Sequence, residues 1–210
     1  VFEGEFMVKK IKRISMALLG VALCGVCVGI FNKAALGADP FTMFVTGIGK
    51  LFGLGYGNVY VAVTGILLIV VFIVDKHYIG IATIFNLFII GYVAEFTMLV
   101  IDLFYTEGNI LIRLGMLLFS LVLLCFAAAL YFTADLGVSS YDAIAIILSK
   151  KTPIQFRLCR IGTDLICVII GFLCGTTVGI GTLMTAFFMG PIIQWFKDHI
   201  TEPYLNGKDN

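Results

Sequence analysis

The chain has 210 residues, of which 60% are hydrophobic and only 13% charged, with a formal net charge of +1. A soluble domain carries about 25% charged residues, so this chain has too few polar side chains to cover a water-facing surface, and lipid is its expected solvent. The near-zero charge offers no basic field for nucleic acid, and His77 and His199, far apart and without zinc-type Cys/His spacing, give no reason to expect a metal site or a cofactor.

The segment 1–6 reads as a vector-derived leader before Met7, and Lys9, Lys10, Lys12 and Arg13 follow it. Apolar runs then fall at 14–33, 58–74, 78–103, 112–133, 158–175 and 177–197, against a need for roughly 20 residues per membrane crossing. Six spans are predicted, the first a retained anchor. All six cysteines, Cys24, Cys27, Cys125, Cys159, Cys167 and Cys174, lie within or at the ends of these runs, where thiols pack as small hydrophobes.

After the first span, Leu36-Gly37 interrupts the helical pattern, and Asp39-Pro40 supplies an N-cap with proline at the first helical position. The helix so started runs to about Phe52. Its dozen or so residues reach less than about 20 Å, short of a hydrocarbon core of about 30 Å, so it lies at the interface or re-enters.

Spans two and three form a hairpin around Asp75-Lys76-His77. Span three carries Thr83 and Asn86 on one face, and Glu95 one turn after Gly91. Polar groups inside spans are costly and mark candidate functional positions. Asn86 is a candidate ligand for a solute, and Glu95 is the first choice for proton or cation coupling.

Span four ends at Leu136-Gly137, and Ser139 then caps a second short helix, with Asp142 three residues on in a capping-box variant. In span five Arg160 and Asp164 stand one turn apart and read as an ordinary ion pair near the cytoplasmic face. Span six carries Thr182 and Thr185 on one face. Gly80, Gly91, Gly179, Gly181 and Gly190 are expected where helices approach closely.

The segment 34–41, AALGADPF, aligns with 134–141, ADLGVSSY, at an offset of one hundred, and 79–83, IGIAT, matches 178–182, VGIGT. Two separated matches at nearly one offset imply a repeat. Three spans per repeat force the second to enter from the opposite side. The fold expected is thus an all-α membrane protein: residues 7–103 and 104–199 as inverted three-helix repeats, each with a short interfacial or re-entrant helix, then a polar tail at 200–210. With the N-terminus in the cytoplasm, eleven of the fourteen basic residues fall on that side, all but Lys33, Lys50 and Arg113, so both termini are predicted cytoplasmic.

The Leu-Gly at the end of span one, the V-G-I-G-T at 178–182 and the G-P-I-I-x-x-F at 190–196 resemble the YczE/YitT-type bacterial membrane proteins. The resemblance covers Met7 to His199 and implies a helical fold in the bacterial cytoplasmic membrane, without implying a substrate.

Inverted repeats with interrupted helices suit alternating access around a site near the midplane. The leading functional expectation is a secondary transporter for a small polar or anionic solute, touched by Gly37, Asp39, Asn86, Glu95, Gly137, Ser139, Thr182 and Thr185. Free N–H groups at the starts of the two short helices would favour an anion. The opposing view makes those helices amphipathic surface elements and the threonines interhelical glue. The rival functions are a substrate-capture subunit of an ATP-driven vitamin-type transporter and a non-transporting accessory protein. A homo-oligomer fits any of the three. An enzyme is not expected, for no catalytic constellation emerges at recognisable spacing.

Overall fold

The computed structural model describes residues 2–105 and 109–206, and among these every regular element is helical. The order is α1 (Phe2–Ala34), α2 (Pro40–Phe52), α3 (Tyr56–Asp75), a 3-10 turn (Lys76–Tyr78), α4 (Ile81–Phe104), α5 (Ile110–Ala134), α6 (Ser140–Lys151), α7 (Phe156–Leu173) and α8 (Ile180–Phe196). A π turn (Lys197–Thr201) and α9 (Glu202–Asn206) close it. The side chains of the leader at 1–6, and the end of the expected polar tail at 207–210, lie outside the described residues.

Among the described residues, four helices are long and apolar enough to cross a membrane: Lys9–Ala34, Tyr56–Tyr78, Ile81–Phe104 and Ile110–Ala134. The apolar runs predicted six. The fifth and sixth runs differ because α7 has 18 residues and carries Arg157, Arg160 and Asp164, while α8 has 17, with Pro191 inside it. Ile73, Leu103, Phe104 and Leu173 are 76%, 79%, 85% and 77% exposed. Such exposure of large apolar side chains fits a lipid environment and not water.

Both short helices begin where the caps predict. Asp39 Oδ1 accepts from Thr42 N at 3.1 Å, and Ser139 Oγ accepts from Asp142 N at 3.1 Å. With 13 residues, α2 spans about 20 Å, and Gly53, in the left-handed region, ends it.

At the centre, α1 packs along α5 and α4, while α2 lies against α7 and α3 against α6. Each short helix therefore also packs on a long helix from the other part of the chain. Antiparallel α1 and α5 lock at two points: Gly20 admits the backbone of Ala127 and Tyr131, and Arg113, at the start of α5, donates to Ala34 O and Ala35 O at 2.8 and 2.6 Å. The guanidinium thereby satisfies carbonyls that the end of α1 leaves free.

Candidate functional site

The two chain breaks are built alike. Ala35 and Asp135 both adopt positive φ, 50° and 51°, and Gly37 and Gly137 follow at 97° and 108°. Leu36 O then accepts from Gly181 N at 2.9 Å, and Leu136 O from Ala82 N at 3.0 Å. These carbonyls occupy donors at the starts of α8 and α4. A Cβ on Gly179 would fall on Leu36 O, and one on Gly80 on Leu136 O, so only glycine admits the crossing. Gly37 and Gly137 thus pack backbone to backbone against Gly179 and Gly80. Gly190 departs from the close approach expected of it: a Cβ added there would meet no described atom within 4 Å, because Gly190 is on the exposed side of α8, while α5 meets the adjacent Met189 through Cys125.

Beside the breaks, the starts of α2 and α6 converge. Phe41 stacks on Tyr141 with ring centroids 4.6 Å apart and planes at 24°. Tyr60 stands edge-on to Phe41 at 5.8 Å, and the Arg160 guanidinium lies over the Tyr141 ring at 4.6 Å. Arg160 also bonds Asp142 and reaches Asp164 Oδ1 at 3.4 Å. Tyr141 hydroxyl donates to the same Asp164 oxygen, and Ser139 Oγ donates to Asp142 Oδ2 at 2.7 Å. A guanidinium is thus held by two carboxylates and a ring face, a geometry its planar fork suits.

Asp39 is different. Its Oδ1 is used in capping, but its Oδ2 is shielded from solvent and has no hydrogen-bond partner among the described residues. Lying in the linker before α2, its carboxyl is pushed above the usual carboxylate range by burial, against the opposing pull of the Thr42 hydrogen bond and the Arg160 charge.

The expected site residues separate into groups. Asp39 and Ser139 belong to this centre, and Asn86 joins its edge by accepting from Tyr60 hydroxyl at 2.8 Å. Thr182 donates to Met43 Sδ at 3.2 Å and Thr185 to Thr182 O at 3.0 Å, so both lie in packing contacts between α8 and α2 or within α8. Glu95 stands apart: its Oε2 accepts from Gly57 N at 3.0 Å at the start of α3, where a carboxylate complements the helix dipole.

Arg160, Asp142, Tyr141 and Phe41 were not singled out as site residues from the sequence. The Arg160–Asp164 pair exists as the spacing indicated, yet it is also tied to Asp142 and Tyr141 of α6. One signal was available: Tyr60 and Thr64 sit one hundred residues before Arg160 and Asp164. The repeat therefore places a second-half ion pair where the first half has neutral groups.

Among known proteins, a family model described as a family of unknown function (DUF6198) matches residues 11–198. An uncharacterized protein from Haemophilus influenzae is 25% identical over 191 residues, covering 90% of this chain and 85% of its own. The uncharacterized membrane protein YczE of Bacillus subtilis is 25% identical over 173 residues, 81% of this chain and 78% of its own. The uncharacterized protein YyaS, also from Bacillus subtilis, is 24% identical over 191 residues, 90% of this chain and 94% of its own. No solved structure matches significantly. The chain belongs to the DUF6198 family and is of the YczE membrane-protein type that its motifs resemble.

Proposed function

We propose, for this member of a membrane-protein family of unknown function, a secondary transporter that moves a small solute bearing a cationic group, such as an amine. The solute binds between two inverted three-helix halves, residues 7–103 and 104–199, which cross the bacterial cytoplasmic membrane six times with both termini in the cytoplasm. Several observations support the inverted arrangement. The paired positive-φ breaks, the paired Leu36 and Leu136 carbonyl contacts and the two capped short helices recur about one hundred residues apart. At about 1.5 Å per residue, α7 extends roughly 27 Å, close to the hydrocarbon thickness. Its Arg160 is compensated by Asp142 and Asp164, which lowers the cost of charge in lipid.

The observation that carries the substrate class is the unpartnered Oδ2 of Asp39, two residues before Phe41 of the aromatic stack. Asp142 and Asp164 bond the one guanidinium of Arg160, while Asp39 feels its charge without bonding it, so the third carboxyl group is left for an added positive charge. An anion is less well served, because the Thr42 and Asp142 N–H groups are already taken by their caps and Pro40 has none to give. Aromatic faces with a carboxylate are a known means of holding an ammonium ion.

The test is a melting-temperature screen of the purified chain with small amines and quaternary ammonium chlorides against sodium salts of small carboxylates, followed by exchange of a labelled hit into liposomes. Amines alone should stabilise and exchange, and Asp39→Asn should lose both effects. Stabilisation by carboxylates only would return the anionic solute, and exchange of nothing would remove transport.

A further inference from the structure

Away from this centre, α1 and α5 leave an open groove of about 750 Å³ that the π turn and α9 close on the third side. Its walls are mainly apolar: Met16 and Leu19 from α1, Phe126 and Leu130 from α5, with His199 and Tyr204 at the rim. The π turn is fixed in place, since Thr201 Oγ1 lies 2.5 Å from Thr133 Oγ1 of α5. Such widened turns are rare and gather at functional positions.

The groove runs into positive charge. Lys9, Lys10, Lys12 and Arg13 precede the groove residues on α1. Lys12 Nζ sits over the Tyr204 ring, 5.3 Å from its centroid, which puts an ammonium on the rim. Arg13 Nε is shielded from solvent and has no hydrogen-bond partner among the described residues. The acidic group of α9, Glu202, is already paired with Lys197 at 3.4 Å.

We infer that this groove is a binding site for an anionic phospholipid. One acyl chain lies along Met16, Leu19, Phe126 and Leu130, and the phosphate meets Lys12 and Arg13. The dimensions agree: from Arg13 to Leu19 the helix rises about 9 Å, so a headgroup at the basic end leaves its chain at the apolar wall. A zwitterionic lipid fills the same wall but brings no net charge to the basic end, so the site discriminates by headgroup. The inference needs no transport activity and stands or falls apart from the solute site.

The chain supplies its own reporter. Trp195 is its single tryptophan, and its ring stacks on His199 at 5.1 Å, next to the groove. In bilayers mixing phosphatidylcholine and phosphatidylglycerol, one or the other brominated, quenching of Trp195 gives their relative affinity. Phosphatidylglycerol should be preferred about five-fold for each basic residue engaged. The preference should fall toward unity in Lys12→Gln/Arg13→Gln and stay unchanged in Lys50→Gln. Because the double variant could fail to fold, the wild-type preference is also measured in high salt, where it must shrink. Equal quenching by the two lipids, a salt-independent preference, or one that survives in a folded double variant overturns the inference.

Discussion

Phe41 stacks face to face on Tyr141, the residue one hundred positions later, with 4.6 Å between ring centroids. Each ring is then flanked by the third helix of its own part of the chain, Phe41 by Tyr60 and Tyr141 by Arg160. The contact joins the starts of the two short helices, so its loss should separate them. In a double-mutant cycle of Phe41→Leu and Tyr141→Leu, read by thermal unfolding, the coupling should be about 0.5–1.5 kcal/mol. Additive losses would mean that the rings stack without mutual support.

Gly179→Ala and Gly80→Ala should each lower the melting temperature sharply, because the added Cβ meets the carbonyl oxygen of Leu36 or Leu136 and forces the crossing apart. Gly115→Ala and Gly190→Ala, which meet no described atom within 4 Å, should change it little or raise it. A comparison of the four in one detergent is decisive, since equal shifts would make the carbonyl contacts incidental.

Arg160 and Lys33 give a contrast between two ion pairs. Arg160→Met strands Asp142 and Asp164, whose side chains are 14% and 19% exposed, and should cost about 3 kcal/mol or more. Lys33→Met breaks only a pair with Asp102, itself 53% exposed, and should cost less than about 1 kcal/mol. Adding Asp142→Asn and Asp164→Asn to Arg160→Met should recover part of the loss, as removal of stranded charge must. No recovery in the triple variant would show that the guanidinium acts by packing on Tyr141 alone.

Glu95→Gln should lower stability by about 0.5–1 kcal/mol, by removing a carboxylate from the start of α3, while leaving amine-dependent stabilisation intact. Asp39→Asn should do the reverse. Loss of proton- or cation-driven accumulation in Glu95→Gln, with amine binding still measurable, would restore Glu95 as the coupling group.

Membrane sidedness follows from the inverted arrangement. Cysteines introduced at Lys50 and Lys150, in a background freed of the six native thiols, should label from opposite sides, with Lys150 cytoplasmic. Labelling from one side would dismantle the two-half scheme, because three crossings separate these equivalent positions.

The sequence by itself determined the helical class, the lipid environment, the starts of α2 and α6 and the kinship of the two breaks. These are local properties: apolar run length, cap chemistry at Asp39 and Ser139, and a glycine at each positive-φ turn all act within a few residues. What only the tertiary structure decided is which polar groups meet. Arg160 lies 18 residues after Asp142 and 121 after Asp39, and no periodicity relates three helices that converge through packing. Glu95 shows the converse. Read along the chain it is a carboxylate deep in an apolar run, yet the fold gives it the Gly57 N–H at the start of α3. The cost of a buried charge is fixed by its partners, and partners distant in sequence are chosen by the fold.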